Sequence, residues 1–223
     1  MIVVLGSYAI SFVFLKTLVK PTDLVEPVEP VEPVEPLNLG YIDPYSPEGF
    51  RKNMDIRFLY FNPKEFIKPS SIEVREAYDE AMHQLFGSQV AKVRIWVSKN
   101  IKYVSDEKVY DWQDCLTRSA GIDEYWQYPE ETLAKRTGDC EDTAILVVSM
   151  LRAGGVPADK VWVAMGTNGK VGHAWVIVNG KPYEPYVPIS VSPLDPLQIV
   201  YERYFLSNFD TCCLFNDKDL YRL

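Results

Sequence analysis

Cys140 and His173 are the residues best able to do chemistry. The Cys stands in Thr137-Gly138-Asp139-Cys140-Glu141-Asp142-Thr143-Ala144, where a helix is expected to begin. The His stands 33 residues later in Val171-Gly172-His173-Ala174-Trp175-Val176-Ile177-Val178, an apolar run that reads as a strand. A thiol at a helix N-terminus feels the positive end of the macrodipole, which favours the thiolate. A His on a strand can be held rigidly beside it as a general base, and that pairing builds a cysteine nucleophile. The chain has only 2 His, so the choice of base is narrow.

The neighbours of Cys140 argue against a buried structural thiol, because Asp139, Glu141 and Asp142 are polar. Asp139 suits an N-cap, and Asp142 three residues on makes a capping-box-like pair. On strand alternation His173, Trp175 and Ile177 share one face, and Ala174, Val176 and Val178 share the other. If one face lies on the Cys140 helix, His173 can point at the thiol and Trp175 can wall the cleft. The base needs a carboxylate to hold its tautomer and stabilise the imidazolium. Glu184, in Lys181-Pro182-Tyr183-Glu184-Pro185, comes alongside through a hairpin at Asn179-Gly180, and Asp195 is the reserve. His83, among Ala81, Met82 and Leu85, reads as a structural residue in mid-helix.

The elements that must position these groups follow from pattern. Leu37 to Pro69 reads as irregular chain. Ser70 or Ser71 caps a helix from Ile72 to Phe86, and Gly87 breaks it. Gln89 to Tyr103 reads as a second helix, with Val90, Val93, Trp96, Val97 and Ile101 at helical spacing. Ser105 to Tyr128 reads as a loop region, and Pro129 to Lys135 as a short helix with Pro at its start. Cys140 to Arg152 is the central helix, with Ala144, Val147, Val148 and Leu151 as its buried stripe and Gly154-Gly155 as its end. Strands are expected at Val161–Met165, His173–Val178 and Pro182–Tyr186, with hairpin turns at Asn168-Gly169 and Asn179-Gly180. Helices followed by an antiparallel meander give an α+β, papain-like layout.

The stretch Trp126-Gln127-Tyr128-Pro129-Glu130-Glu131-Thr132-Leu133, then Gly138-Asp139-Cys140-Glu141-Asp142, then Gly172-His173-Ala174-Trp175, resembles the transglutaminase-like superfamily. It is most similar to the microbial and archaeal transglutaminase-like cysteine peptidases, over roughly Val90 to Pro188. The resemblance implies a helix carrying the Cys packed on an antiparallel sheet, and a Cys-His-Asp triad that falls on Cys140, His173 and Glu184. Glu in the place of Asp departs from the family pattern by one methylene. The backbone N–H of Cys140 would donate to an oxyanion, with Gln127 and Trp126 as candidates for the second donor.

Three carboxylates beside the thiol raise its pKa, against the dipole. A bound cation would remove that conflict. The resemblance implies calcium, held by the acidic residues that flank the Cys, here Asp139, Glu141 and Asp142; backbone and water would complete its six to eight oxygens. No cofactor is needed for the chemistry itself.

Length and composition fit one globular domain with additions: 223 residues, 47% hydrophobic, 24% charged. The net charge of −8 and the lack of a basic stripe argue against non-specific nucleic-acid binding. The 4 Cys form no CxxC pair, so a Cys-rich zinc site is not expected. Cys115 could bridge to Cys212 or Cys213, but nothing in the sequence requires it. Ile2 to Leu15 is almost wholly apolar; with Leu18 and Val19 the segment reaches about 18 residues, near the lower limit for crossing a bilayer. Residues 1–20 therefore read as a membrane anchor or a signal segment, with a buried helix as the other reading. Lys16 and Lys20, by the positive-inside rule, lean toward a cytoplasmic domain. Val25 to Pro36 is a fourfold Val-Glu-Pro repeat that forbids helix and suits polyproline II, about 37 Å long, within a linker at 21–40. An apolar start, a stiff spacer and then a domain at 41–223 is the layout of a protein tethered outside a membrane. The expected activity is on amide bonds of a protein or peptide substrate. The rival class is a catalytically inactive module of the same fold that binds a peptide or partner.

Overall fold

The computed structural model describes residues 43, 45–106, 125–186 and 202–223, all within the unit Tyr41–Leu223. The N-terminal apolar segment, the Pro-rich linker, Cys115, Asp195 and most of the loop expected over Ser105–Tyr128 lie outside the described residues. Among the described residues no helix is long and apolar enough to cross a membrane.

Helix α1 (Pro47–Tyr60) occupies chain expected to be irregular. Pro47 is at its first turn, and the Ser46 hydroxyl accepts from Gly49 N at 3.1 Å. Charged residues interrupt its apolar ones, which hid the helical period; Phe50 and Met54 are buried in the core and Phe58 packs against it. Helix α2 (Ile72–Met82) stops four residues short of expectation, with His83 as an exposed C-cap rather than a mid-helix residue. Helix α3 (Gln89–Asn100) also ends early. Ile101 turns extended and buries its side chain, so that Lys102–Tyr103 forms strand β1 instead of a last helical turn. Strand β1 pairs in parallel with β2 (Thr137–Gly138), Tyr103 opposite Gly138. Between them in sequence is α4 (Pro129–Lys135).

Helix α5 (Cys140–Ala153) is the centre of the molecule. Every residue from Glu141 to Leu151 is buried, so the stripe of four expected apolar residues is too narrow a description. Helices α2, α3 and α4 pack on one side of it and the sheet on the other. From Ala144 to Leu151 only Ser149 is polar, and a helix buried all round has no solvent face to present.

The sheet is antiparallel, in the order β5-β4-β3-β6-β7. Strands β3 (Val161–Thr167), β4 (Gly172–Val178) and β5 (Lys181–Tyr183) form the expected meander. The second hairpin closes through Asn179 (φ 51°) and Gly180 (φ 73°), a pair of left-handed residues that matches the strand twist. Strands β6 (Asp210–Phe215) and β7 (Leu220–Arg222) extend the sheet beyond β3. A bulge between Met165 and Gly166 skips Cys212, since Met165 pairs with Cys213 and Gly166 with Thr211. Both cysteines consequently turn into the core as buried thiols, not bonded to each other.

The two faces of the sheet are covered differently. Val161, Val163, Met165, Ala174, Val176, Val178 and Phe215 join α5 in the main core. Ala164 and Trp175 pack with Leu206 and Phe209 in a smaller cluster on the opposite face. A short helix at 202–206 supplies that cover.

At the bulge Gly166 has no room for a side chain, because an added Cβ would lie 2.3 Å from the Asp210 carbonyl oxygen. Gly166→Ala should therefore part β3 from β6 and lower stability by about 1–3 kcal/mol, the usual cost of overpacking. Urea unfolding would read this as a shifted midpoint, and an unchanged midpoint would mean that the strands slide apart without cost.

Candidate active site

Building the site begins with the start of α5. Thr143 N donates to the Asp139 carbonyl, and Asp139 N donates to the Asp142 carboxylate at 3.3 Å, which seals the first turn. The same carboxylate accepts Gln127 N at 2.7 Å and the Gln127 side-chain amide at 2.6 Å. Gly138 allows this fold-back, for a Cβ there would sit 2.7 Å from the Asp142 Cβ. Upstream, Glu131 accepts from Tyr128 N at 2.8 Å and from the Tyr125 hydroxyl at 3.0 Å, capping α4. The Trp-Gln-Tyr-Pro-Glu-Glu-Thr and Gly-Asp-Cys-Glu-Asp stretches are therefore one hydrogen-bonded unit that sets where Cys140 begins its helix.

That unit also disposes of two expected roles. Trp126 is fully buried, stacked on Phe215 at 5.6 Å and packed on Phe61 and Phe66; its indole N–H has no hydrogen-bond partner among the described residues. Gln127 is 1% exposed, with its amide N–H groups engaged by Asp142 and the Thr137 carbonyl. Neither side chain reaches a surface where a substrate oxyanion could form.

Cys140 is half-buried, and its thiol donates to Glu141 Oε2 at 3.3 Å. One ligand atom each from Asp139, Cys140 and Glu141 lies within 4.8 Å of the others. Asp142, expected with them, is not in this group, because its carboxylate is turned inward to three N–H donors. Glu141 is 3% exposed, and burial first, then the charges of Asp139 and Cys140, push its carboxyl well above the ordinary value of 4.5. Burial and the Asp139 charge push Asp142 up as well, although the Gln127 N–H opposes them. A neutral Glu141 can donate its O–H toward sulfur, whereas the ionised form can only accept.

His173 stands at the start of β4, with Nε2 at 3.0 and 3.1 Å from the two oxygens of Glu184. When Nε2 carries the proton of the neutral ring, Nδ1 is left as the acceptor. Both side chains are about one-fifth exposed, at 18% and 19%. The strand presents Ala174, Val176 and Val178 to α5. His173 and Trp175 thus lie on the other face, contrary to the expected arrangement. There the imidazole packs among Trp175, Phe205 and Phe209, with centroids 6.2, 6.0 and 5.3 Å away.

Tyr103 is a site residue that the sequence reading passed over. Read as the end of a helix, it carried no signal. On β1 it stands opposite Gly138, two residues before the Cys, and its ring lies 6.3 Å from Tyr186, two residues after Glu184. Burial and then the charges of Cys140, Asp139, Glu141 and Glu184 hold its phenol well above the ordinary value of 10.0. One phenol feels the charges of both the thiol and the carboxylate that holds His173. Tyr103 stays protonated there, as a neutral donor.

The sequence model of the family described as a transglutaminase-like domain matches residues 83–183. No curated protein matches the chain. Among solved structures, Legionella pneumophila LapG is similar at 17% identity, over 68% of this chain and 88% of that one, with a TM-score of 0.38. Its calcium-bound form gives 17% and 0.36 over the same shares, and its EGTA-treated form 17% and 0.39 over 68% and 86%.

The raised Glu141 carboxyl makes a signed prediction. The folded state holds a proton there that the unfolded chain releases near 4.5, so stability falls as pH rises above that value. Glu141→Gln should raise the melting temperature at pH 7 relative to the parent, and the gain should shrink toward pH 4. A melting-temperature difference constant across that range would show that Glu141 is ionised in the fold. The matched segment, residues 83–183, holds Cys140 and His173 and is similar to the family described as a transglutaminase-like domain.

Proposed function

We propose that this protein is a thiol enzyme acting on amide bonds of a protein or peptide, with Cys140 as nucleophile, His173 as base and Glu184 as its orienting carboxylate. The observation that carries this reading is the two-oxygen grip of Glu184 on His173 Nε2, which leaves Nδ1 to accept a proton. The positive end of α5 favours the thiolate.

In the proposed reaction His173 Nδ1 takes the Cys140 proton as Sγ bonds to the amide carbonyl carbon. The oxyanion is met by the Cys140 backbone N–H and, in our reading, by the Tyr103 hydroxyl in place of Gln127 or Trp126. The C–N bond then breaks, and the imidazolium gives its proton to the leaving amine. Water resolves the thioester in a peptidase or amidase, and an amine resolves it in a transglutaminase. The triad is common to both, and the pocket for the acceptor decides. The apolar segment at 1–20 and the stiff linker at 21–40 would tether the domain outside a membrane.

The rival, an inactive binding module, is separated by reactivity. Cys140 should react with iodoacetamide at neutral pH faster than Cys212 or Cys213, and should yield a captured acyl-enzyme from a peptide mixture. Cys140→Ala should abolish capture with little change in melting temperature. Glu184→Gln should slow acylation by ~10²–10⁴-fold, as for orienting carboxylates in hydrolase triads. Tyr103→Phe should slow it by ~10²–10³-fold, the scale of one oxyanion donor. An unreactive Cys140 would favour the binding module.

Asp139 and Glu141 support a narrower calcium proposal than the three carboxylates expected. Glu141 Oε1 is buried with no hydrogen-bond partner among the described residues, as a ligand oxygen awaiting a cation would be. Two carboxylates leave most of the six to eight oxygens to backbone and water. A cation there would supply the positive charge that favours thiolate. After chelation, added calcium should raise the melting temperature progressively with free concentration, and Asp139→Asn should remove the effect. No shift at millimolar calcium would leave the Glu141 proton as the means of relieving the repulsion.

A further inference from the structure

Glu184 stands one residue past β5, beyond the last ladder pair, Val176 with Tyr183. A side chain from another element takes over where the ladder ends. Arg94, in the middle of α3 and 1% exposed, donates through Nε to the Glu184 carbonyl oxygen at 2.6 Å. Its Nη2 donates to Glu202 Oε1 at 2.7 Å, an ion pair with both side chains 2% exposed. The guanidinium carbon lies 5.2 Å from the centre of the Tyr183 ring, which covers it. Glu202 in turn opens the short helix at 202–206. That helix and the turn after it supply Phe205 and Phe209 to the His173 ring.

We infer that Arg94 is a positioning residue for the base, fixing the backbone of Glu184 and, through Glu202, the aromatic segment that backs His173. The inference rests on the reading of Cys140, His173 and Glu184 as a triad. Three arguments support it. A buried ion pair adds little net stability over apolar residues of the same shape, so stability alone does not explain why one is kept here. The guanidinium fork offers two donors in fixed directions, one for a carbonyl and one for a carboxylate, which an ammonium cannot do. The two elements it joins both reach His173: Glu184 presents its carboxylate to Nε2, and the helix that Glu202 opens supplies Phe205 to the ring. A small shift of Glu184 would loosen a two-oxygen contact whose geometry sets the direction of Nδ1.

The test uses the full chain and four variants: Arg94→Lys, Glu184→Gln, the two combined, and Arg152→Lys. The last weakens a second ion pair, Arg152 with Asp217 at 2.6 Å, as a control for structural loss. The readouts are the neutral-pH alkylation rate of Cys140 and the downfield proton resonance of the His173 imidazole N–H, assigned with His83→Gln since the chain has 2 His. Arg94→Lys should slow alkylation by roughly 10²-fold, the scale of a small misplacement in a catalytic group, and should broaden the resonance away. In the Glu184→Gln background it should add nothing, because both changes act through one contact. Arg152→Lys should lower the melting temperature without moving either readout. Should Arg94→Lys fail to fold, Arg94→Met with Glu202→Leu removes both buried charges while filling the space, and should show the same slow rate and lost resonance. Full additivity with Glu184→Gln, or a native rate and resonance in either Arg94 variant, would overturn the inference. If Glu184→Gln itself leaves rate and resonance unchanged, the triad reading falls instead.

Discussion

The Asp142 carboxylate, buried and held by Gln127 N, the Gln127 amide and Asp139 N, is the contact on which the rest of the site depends. It accepts from the first turn of α5 and from the loop before α4 at once, and so fixes the Cys140 helix against the preceding chain. The position of Gly138 follows from it, since a side chain there would collide with Asp142. Gly138 in turn pairs with Tyr103 and sets that strand against the chain leading into Cys140. The arrangement has an electrostatic consequence. Three carboxyl groups gather at the start of one helix, two of them with no exposure to speak of. The helix dipole favours negative charge there but cannot stabilise three buried anions and a thiolate together. Protonation of Glu141 is the response its environment favours, and it turns a repelling neighbour of sulfur into a donor.

The sheet separates packing from chemistry. One face buries Val, Met and Phe side chains on α5, where the cost of any cavity is highest. The other carries His173 and Trp175 and is closed by a short, late segment of chain. The core can therefore be tight without constraining His173, and the imidazole can be tuned by residues from 202 to 209 without disturbing the core. The bulge at Gly166, directly across from His173 in the ladder, lies at the junction of these two regimes.

Legibility followed the local signals. The central helix, its start at Cys140, the short helix at Pro129 and the hairpin at Asn179-Gly180 were readable, because caps, Pro and turn residues act within a few positions. Helix α1 was not, since charged residues interrupt its apolar ones and its start rests on a single Ser cap. The end of α3 was misread for a different reason: Lys102 and Tyr103 have no strand pattern of their own and become a strand only because Thr137–Gly138 lies beside them. Tyr103 was lost with it. Which face of β4 meets α5 could not be told from alternation, which defines two faces and does not say which is covered. The strands at the C-terminus escaped because Cys212 sits in a bulge and breaks the period of two. Asp142 looked like its acidic neighbours; only the fold distinguishes a carboxylate turned to N–H donors from two that face sulfur.

The Glu at position 184, where an Asp was expected, follows from how its backbone is held. The carbonyl is fixed by Arg94 one residue beyond the strand, and the register continues toward Trp175 rather than His173. From that point the carboxylate must reach diagonally across to the ring two residues further along the neighbouring strand, a span of about 7–8 Å between diagonal neighbours in an antiparallel pair. A side chain with one more methylene covers more of that span, and it arrives with both oxygens at hydrogen-bond distance from Nε2. Length and clamp are thus a matched pair. An Asp would need the backbone to come closer, and the backbone is where Arg94 leaves the least freedom. If Glu184 holds the place of the family's Asp, as proposed, its extra methylene relocates the carboxylate's anchor without loosening the two-oxygen grip on Nε2.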